Sequence, residues 1–288
     1  MDAEQLRALR AVADAGTFDA AATALHVTPS AVSQRIKALE RQTGQVLVQR
    51  TRPCKVTDAG QVLLSAARRF AEIESDVALA LDRISAAPLR VAVNADSLAT
   101  WFTAVLAEAA RWRDTDLRLL VEDEQLTHRL LTSGEVIAAV TTATRAAAGC
   151  RSTRLGAMRY LPVASPALWD GGPLPGEQLA AMPAVCFDEK DHITEDFLAG
   201  LGSPAPERRH LVPSPHAYLT AVEAGLGWSM VPAHMAAEPL RAGSLVRVHP
   251  GHVDVTLYWQ CWALHTPRLE RLTELVLRSA RELDAPTP

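Results

Sequence analysis

Aromatic residues make up only 5% of the 288 residues, although hydrophobic residues together reach 48%. Four scattered cysteines (Cys54, Cys150, Cys186 and Cys261) form no CxxC pair, which argues against a zinc site or a disulfide scaffold. No apolar run reaches the roughly 18 residues of a membrane span, and the polar start MDAEQLRALR is not a signal peptide. We therefore predict reduced thiols, a cytoplasmic location and no membrane partner.

The sequence also lacks the motifs of the common enzyme classes. It contains no Gly-rich phosphate loop, no GxSxG and no HExxH, and its nine histidines are dispersed. We accordingly predict no catalytic residues, no cofactor and no bound metal.

Charge is distributed unevenly along a chain long enough for about two domains. Residues 1–70 contain ten Lys or Arg and six Asp or Glu, a net charge of +4, whereas the whole chain has a net charge of −4. The remaining residues therefore have a net charge of −8. A basic head on an acidic body favours a nucleic-acid-binding module joined to a domain with another partner.

The stretch from Phe18 to Arg41 has the pattern of two short helices joined by a tight turn. Thr28 is a typical N-cap, and Pro29 suits the first helical position, where its missing N–H costs nothing. An apolar stripe with i, i+4, i+7 spacing follows: Val32, Ile36 and Leu39. Such a pair is typical of the helix-turn-helix, whose second helix enters the DNA major groove. The alternative is an ordinary amphipathic surface helix.

A short extended pair, residues 46–48 and 55–56, predicts a wing whose loop carries Arg50 and Arg52. These arginines suit phosphate contacts, which supply affinity rather than sequence choice, although loop arginines are also often merely solvated. The predicted DNA-contacting residues are Thr28, Pro29, Ser30, Ser33, Gln34, Arg35, Lys37, Arg50 and Arg52.

Thr57 and Asp58 are predicted to cap a long helix that extends to about Ile84. Its apolar residues keep a 3–4 spacing that Glu74 interrupts: Leu63, Ala67, Phe70, Val77, Leu81 and Ile84. A stripe of this length needs a partner, so we predict a dimerisation helix, the alternative being that it packs on its own C-terminal domain. A hinge at residues 86–88 ends this segment.

Beyond the hinge, strands alternate with helices, which predicts a parallel, doubly wound α/β sheet in two lobes. The predicted strands are residues 89–93, 117–121, 136–140, 158–163, 184–187, 228–231 and 253–263. The predicted helices are residues 96–112, 124–133, 193–201, 215–224 and 267–283. Two crossings between the lobes leave a cleft, and ligands of such sheets bind beyond the carboxyl ends of the strands.

Residues 1–66 resemble the N-terminal domain of LysR-type transcriptional regulators. The resemblance lies in FDAAATAL, TPSAVSQRIKALE, the Gly44 turn, the wing and the TDAG opening of the long helix. VNADSLATW (93–101), VEDE (121–124), GEVIAAV (134–140) and the 225–227 segment resemble the subgroup called ArgP or LysG, which senses basic amino acids and controls arginine or lysine export. Thr103 and Ala104 replace the Leu-Pro usual in the first effector-domain helix.

The resemblance implies a winged helix-turn-helix head, a dimerising linker helix and a two-lobed, periplasmic-binding-protein-like effector domain of type II. The expected boundaries are 1–57 for the head, 58–87 for the linker helix and 88–288 for the effector domain. Within the effector domain, lobe I is expected at 88–162 and 264–288 and lobe II at 163–263. The expected partners are promoter DNA, a basic amino acid and further copies of the chain, as a dimer and usually a tetramer. Contact with RNA polymerase is left open.

The predicted effector pocket combines hydroxyls with carboxylates. Ser97 and Thr100 suit an α-carboxylate, Asp188 suits an ammonium group, and the acidic run at 122–124 suits a basic side chain. Simple capping, core packing or solvation is the alternative for each. The predicted set is Asp96, Ser97, Thr100, Glu122, Asp123, Glu124, Thr141, Thr142, Phe187, Asp188 and Trp228. A carboxylic metabolite is the alternative effector, although acidic residues would repel it.

Overall fold

The computed structural model describes residues 1–81, 87–122 and 124–284. Its head comprises three helices and a two-stranded wing: α1 (Ala3–Ala15), α2 (Phe18–Ala24), α3 (Pro29–Thr43), β1 (Val48–Gln49) and β2 (Lys55–Val56). Asp2 forms a capping box with Gln5, and the Thr28 hydroxyl caps α3 as predicted, accepting from the Ala31 N–H at 3.2 Å. Val32, Ile36 and Leu39 are buried in the head core, which confirms the predicted stripe.

The long helix α4 spans Asp58–Ala80, and Thr57 caps it by accepting from the Gly60 N–H at 3.1 Å. A side chain at Gly60 would collide with the carbonyl of Leu47, so the wing and the helix pack closely only with glycine here. The predicted stripe divides in two. Its first half packs against the head, with Ala67 buried, whereas Val77 and Leu81 are 54% and 56% exposed. Ile84 lies outside the described residues.

The body is built on one mixed seven-stranded sheet and one parallel pair of strands. In chain order its strands are β3 (Leu89–Val93), β4 (Leu117–Val121), β5 (Ala138–Thr141), β6 (Cys150–Ala164), β7 (Ala184–Cys186), β8 (Arg209–Leu211), β9 (Ser229–Pro232), β10 (Val246–Arg247) and β11 (Val253–Trp262). The sheet order is β10-β6-β11-β5-β3-β4, with β9 paired to β6, and β7 pairs with β8.

The prediction of a wholly parallel sheet is therefore wrong. Strands β4, β3 and β5 are parallel, but β11 runs antiparallel to both β5 and β6. The 15-residue β6 and the 10-residue β11 pass between the lobes, so the two predicted crossings belong to the sheet itself. Antiparallel crossing strands make the sheet mixed.

The helices of the body are α5 (Ala95–Ala99), α6 (Phe102–Ala109), α7 (Glu124–Ser133), α8 (Gly176–Ala181), α9 (Ile193–Gly200), α10 (Pro215–Glu223), α11 (Ala233–Ala242) and α12 (Pro267–Ser279). The predicted helix 96–112 is broken between α5 and α6, where Thr100 departs from helical geometry. Asn94, rather than Asp96 or Ser97, caps α5 by accepting from the Ser97 N–H at 3.1 Å. No predicted element corresponds to α8, α11, β8 or β10.

One fully buried arginine joins the linker helix to the body. Arg268, 2% exposed near the start of α12, donates to Asp76 Oδ1 at 2.5 Å and to Glu72 Oε2 at 3.2 Å, both on α4. It also donates to the carbonyl of Ala87 at 2.5 Å. Burial raises the pKa of Glu72 to about 7, although the positive charge of Arg268 opposes this shift.

Arg68 makes a second connection nearer the head. Its guanidinium donates to Asp14 Oδ1 of α1 at 2.9 Å and to the carbonyl of Ser133 at 2.9 Å. The side chain of Arg68 therefore connects the linker helix to both the head and the body. Across the described ranges, no helix is both long and apolar enough to cross a membrane.

Candidate functional site

The polar face of α3 is open to solvent. Thr28, Pro29, Ser30, Gln34 and Lys37 are exposed and Ser33 is half-buried. The hydroxyls of Thr28 and Ser30 lie 2.9 Å apart at the start of the helix. Hydroxyl, amide and ammonium groups on one helix face can contact base edges and phosphates together, which is the arrangement that major-groove recognition requires.

The wing lies beside this face. Arg50 donates to Ser33 Oγ at 3.1 Å, and its guanidinium lies 4.8 Å from the centroid of the Phe18 ring. These contacts hold a positive charge next to α3. Arg52 is exposed in the same loop.

Arg35 differs from the other predicted contacts. It is half-buried, and its guanidinium lies 2.9 Å from Glu4 Oε2 of α1. The side chain thus ties α3 to α1, and its contact with DNA stays a prediction.

The candidate effector site lies where the lobes meet, because α5 of lobe I contacts α10 of lobe II. Tyr160, on the crossing strand β6, donates from Oη to Asp96 Oδ2 at 2.7 Å. Burial raises the pKa of Asp96; the hydrogen bond from Tyr160 lowers it, and the charge of Asp191 raises it again. Asp191 belongs to the loop before α9.

Ser97, the residue after Asp96, is fully buried, and its hydroxyl has no hydrogen-bond partner among the described residues. Buried hydroxyls are normally paired, because leaving one unpaired costs free energy. An unpaired donor beside a carboxylate is suited to a ligand that carries both an acceptor and a cation.

The other predicted pocket residues differ in their burial and in their hydrogen bonds. Thr141 is buried and its Oγ1 accepts from the Ala143 N–H at 3.1 Å, while Thr100 donates to the carbonyl of Asp96 at 2.6 Å. Both hydroxyls therefore stabilise local backbone. Thr142 and Glu122 are half-buried. Asp123 lies outside the described residues, and Glu124 is placed only as the first residue of α7.

One prediction in lobe II needs correction. Trp228 is fully buried, donates from Nε1 to the carbonyl of Leu179 at 2.9 Å and packs edge-on against Phe197, so it belongs to the core. Asp188 is half-buried and accepts from the Lys190 and Asp191 N–H groups through Oδ1, and its contact with an effector stays a prediction. Half-buried Phe187 donates its N–H to Asp191 Oδ2 at 3.0 Å.

Tyr160 and Asp191 were missed in the sequence. Asp191 ends the run DEKD, which is typical of a solvated loop, and Tyr160 lies inside an apolar strand pattern. The scarcity of tyrosine, with three in the chain, was the one available signal for Tyr160, because a buried tyrosine usually needs a hydrogen-bond acceptor.

Two family descriptions match consecutive parts of the chain. Residues 3–61 match the bacterial regulatory helix-turn-helix protein, lysR family, and residues 84–281 match the LysR substrate binding domain. The first covers the head and the start of the linker helix, and the second covers the lobes with their cleft.

Full-length relatives show the same arrangement. The lysine export transcriptional regulatory protein LysG of Corynebacterium glutamicum is 42% identical over 98% of this chain and 99% of its own. The crystal structure of ArgP from Mycobacterium tuberculosis has 44% identity and a TM-score of 0.90, covering 99% of each chain. Full-length LysG from C. glutamicum with bound effector Arg has 41% identity and a TM-score of 0.85, covering 99% of this chain and 100% of that one.

These matches confirm the fold class predicted from the sequence and the resemblance to LysG and ArgP. The two full-length structures cover head, linker helix and effector domain together. The chain therefore belongs to the LysR family of bacterial transcriptional regulators.

Proposed function

We propose that this DNA-binding regulator senses a basic amino acid, lysine or arginine and by extension histidine, and controls transcription of an amino acid exporter gene in the cytoplasm. The observation that carries the proposal is the buried carboxylate of Asp96, which accepts from Tyr160 Oη at 2.7 Å and directly precedes Ser97 with its unpaired hydroxyl. A cationic ligand with a carboxylate would satisfy both features. The relatives named for lysine export and for bound Arg support this choice.

Acidic groups in the cleft disfavour a carboxylic metabolite, the alternative effector. A dianion would meet the Asp96 carboxylate in desolvated surroundings, where like charges repel strongly. The protein acts, in this proposal, by binding rather than by catalysis, and it requires no cofactor.

The exposed part of the linker helix favours self-association. A groove of about 1250 Å³ between α4 and α7 is lined by apolar groups, among them Val62, Phe70, Ile73 and Leu126. Val62 is 71% exposed, which is unusual for a large aliphatic side chain on a long helix. We assign this face to dimerisation, with a tetramer as the expected assembly; contact with RNA polymerase stays a further expectation.

Calorimetric titration of the full-length protein tests the effector. We expect heat of binding from L-lysine, L-arginine or L-histidine and none from L-glutamate, because the cleft has an excess of negative charge. Absence of heat from all three basic amino acids would defeat the effector proposal. Tight binding of glutamate would favour the carboxylic alternative.

DNA binding is tested by separating base contacts from phosphate contacts. On a duplex selected from a random library, Gln34→Ala should weaken binding by about 10-fold while leaving non-specific binding unchanged. Arg52→Ala should weaken binding to all duplexes and lower the slope of log K against log salt by about 1. Fluorescence anisotropy at several salt concentrations measures both effects.

Arg241→Ala is the control for the DNA experiment, because Arg241 lies on α11 of the body and its side chain is 75% exposed. An unchanged salt slope in Arg52→Ala would remove the wing from the interface. Failure of the unmodified protein to prefer any duplex would defeat the DNA-binding role.

A further inference from the structure

The loop of the wing is anchored to the turn between α1 and α2. The N–H of Cys54 donates to the carbonyl of Gly16 at 2.7 Å, and the guanidinium of Arg50 lies 4.8 Å from the centroid of the Phe18 ring. β1 and β2 pair at the base of the same loop, and Arg50 directly follows β1. The backbone and the side chain of Arg50 are therefore both held in place.

Arg50 reaches the polar face of α3 from this position. Its Nη2 donates to Oγ of the half-buried Ser33 at 3.1 Å. The Phe18 ring orients the guanidinium, because a cation is attracted to the face of an aromatic ring. Phe18 is itself half-buried against the apolar core of the head, so the ring is a fixed support for the guanidinium.

The hydrogen bond from Arg50 limits what the Ser33 hydroxyl can do. A serine hydroxyl has one hydrogen to donate and two lone pairs, whereas an arginine side chain can only donate. Ser33 Oγ therefore accepts from Arg50, and its own hydrogen is left for another acceptor. Among the residues that the structure describes, Ser33 Oγ donates to no protein acceptor. The hydrogen is thus available to a group outside the chain.

The bases differ in what they present to such a hydrogen in the major groove. Guanine, adenine and thymine each present at least one acceptor, whereas cytosine presents only the N4 amino donor. A free serine hydroxyl reads either kind of group, because it can rotate between donating and accepting. Beside Arg50, the positive charge disfavours the approach of a further donor to the second lone pair of Ser33 Oγ. The hydroxyl then discriminates against cytosine.

We propose that Arg50 takes part in sequence choice, because its hydrogen bond to Ser33 Oγ directs the Ser33 hydrogen to an acceptor on a base. Phe18 is the positioning residue that holds Arg50 in this contact. The inference rests on the DNA-binding role of the head. The remaining N–H groups of Arg50 stay available for a phosphate, so one side chain supplies both affinity and sequence choice.

The test compares four duplexes that differ at a single base pair. Selection from a random library gives the preferred site, and the base pair at which Ser33→Ala loses its preference is the one that Ser33 reads. Fluorescence anisotropy of the full-length protein should show one orientation of G·C at this position binding about 10-fold more weakly than the best duplex. This penalty should fall to about twofold or less in Arg50→Met and to about threefold in Phe18→Leu.

Arg52→Met is the matched control, because Arg52 is an exposed arginine of the same loop. It should weaken binding to all four duplexes by a similar factor and keep the 10-fold penalty. Phe18→Tyr retains an aromatic ring and should also keep the penalty. Thermal midpoints check folding, and if Phe18→Leu does not fold, Arg50→Met alone decides.

Other outcomes would overturn the assignment. If Arg50→Met weakens all four duplexes equally, as Arg52→Met does, Arg50 contacts phosphate alone. If Phe18→Leu keeps the full penalty, Phe18 does not position Arg50. If Ser33→Ala changes the preference at no base pair, the inference fails while DNA binding stands. If the unmodified protein prefers no duplex, the DNA-binding role itself fails first.

Discussion

Replacing Arg268 by alanine is expected to destabilise the protein by about 3–5 kcal/mol. Arg268 is 2% exposed and is shared by Glu72, Asp76 and the carbonyl of Ala87. Its removal leaves two carboxylates in a partly desolvated joint with no counter-charge, and the loss of one partner from a buried ion pair costs far more than the pair contributes. Chemical denaturation followed by tryptophan fluorescence measures the loss.

Arg278→Ala provides the control on the same helix, because Arg278 is exposed in the last turn of α12. Its effect should stay within about 0.5 kcal/mol. A loss below about 1 kcal/mol in Arg268→Ala would mean that the joint tolerates the unpaired carboxylates, contrary to the structure.

Glu72→Gln should stabilise the protein at pH 8 and have little effect near pH 4.5. Two carboxylates, Glu72 and Asp76, face the single guanidinium of Arg268. Burial raises the pKa of Glu72 to about 7, although the positive charges of Arg268 and Arg10 oppose this shift. Between pH 4.5 and 7 the folded state therefore binds more protons than the unfolded state, so stability falls as pH rises. A shift of this size corresponds to about 3 kcal/mol.

Thermal midpoints recorded from pH 4.5 to pH 8 measure this effect. In the unmodified protein, the titration of Glu72 should lower the thermal midpoint as the pH rises from 4.5 to 8. Glu72→Gln should not show this contribution to the decrease. Glu274→Gln, on the exposed face of α12, should follow the unmodified protein. Identical pH profiles for the Glu72 variant and the unmodified protein would place the pKa of Glu72 in its ordinary range.

The head was predictable because its signals are local. Thr28, Pro29 and Gly44 mark the ends of α3 through caps and backbone conformation, and Val32 and Ile36 mark its buried face. Each of these signals acts within one helical turn, so no knowledge of the rest of the chain is needed. Hydrophobic runs likewise predicted most strands of the body, but they do not encode strand direction, and the mixed sheet was missed.

The effector site was less predictable because its groups come from distant parts of the chain. Tyr160 acquires its role only when the crossing strand meets α5. Trp228 illustrates the opposite error, since a residue after a glycine pair was assigned to the pocket but fills the core. The spacing of residues in the sequence predicts which of them share a face of one helix or strand. It does not predict which residues of different elements meet across a cleft.

Arg268 shows a signal that was present but not used. It precedes Leu272 by four residues and Leu275 by seven, and so lies on the buried face of α12. An arginine in such a position requires acceptors. Glu72 and Asp76, four residues apart on the linker helix, provide them.

The length of α4 has a mechanical consequence. With 23 residues it is about 35 Å long. Arg268 binds its second half through Glu72 and Asp76, and α1 of the head packs along it as far as Glu74, which Arg7 contacts.

Glu72 lies 14 residues, or about 21 Å, from the start of the helix at Asp58, so a tilt of about 10° around Arg268 would carry that end about 4 Å, close to the rise of one base pair. The carbonyl of Ser133 would have to release Arg68 during such a swing. A small rotation at this joint is therefore enough to move the polar face of α3 by about the spacing of neighbouring base pairs.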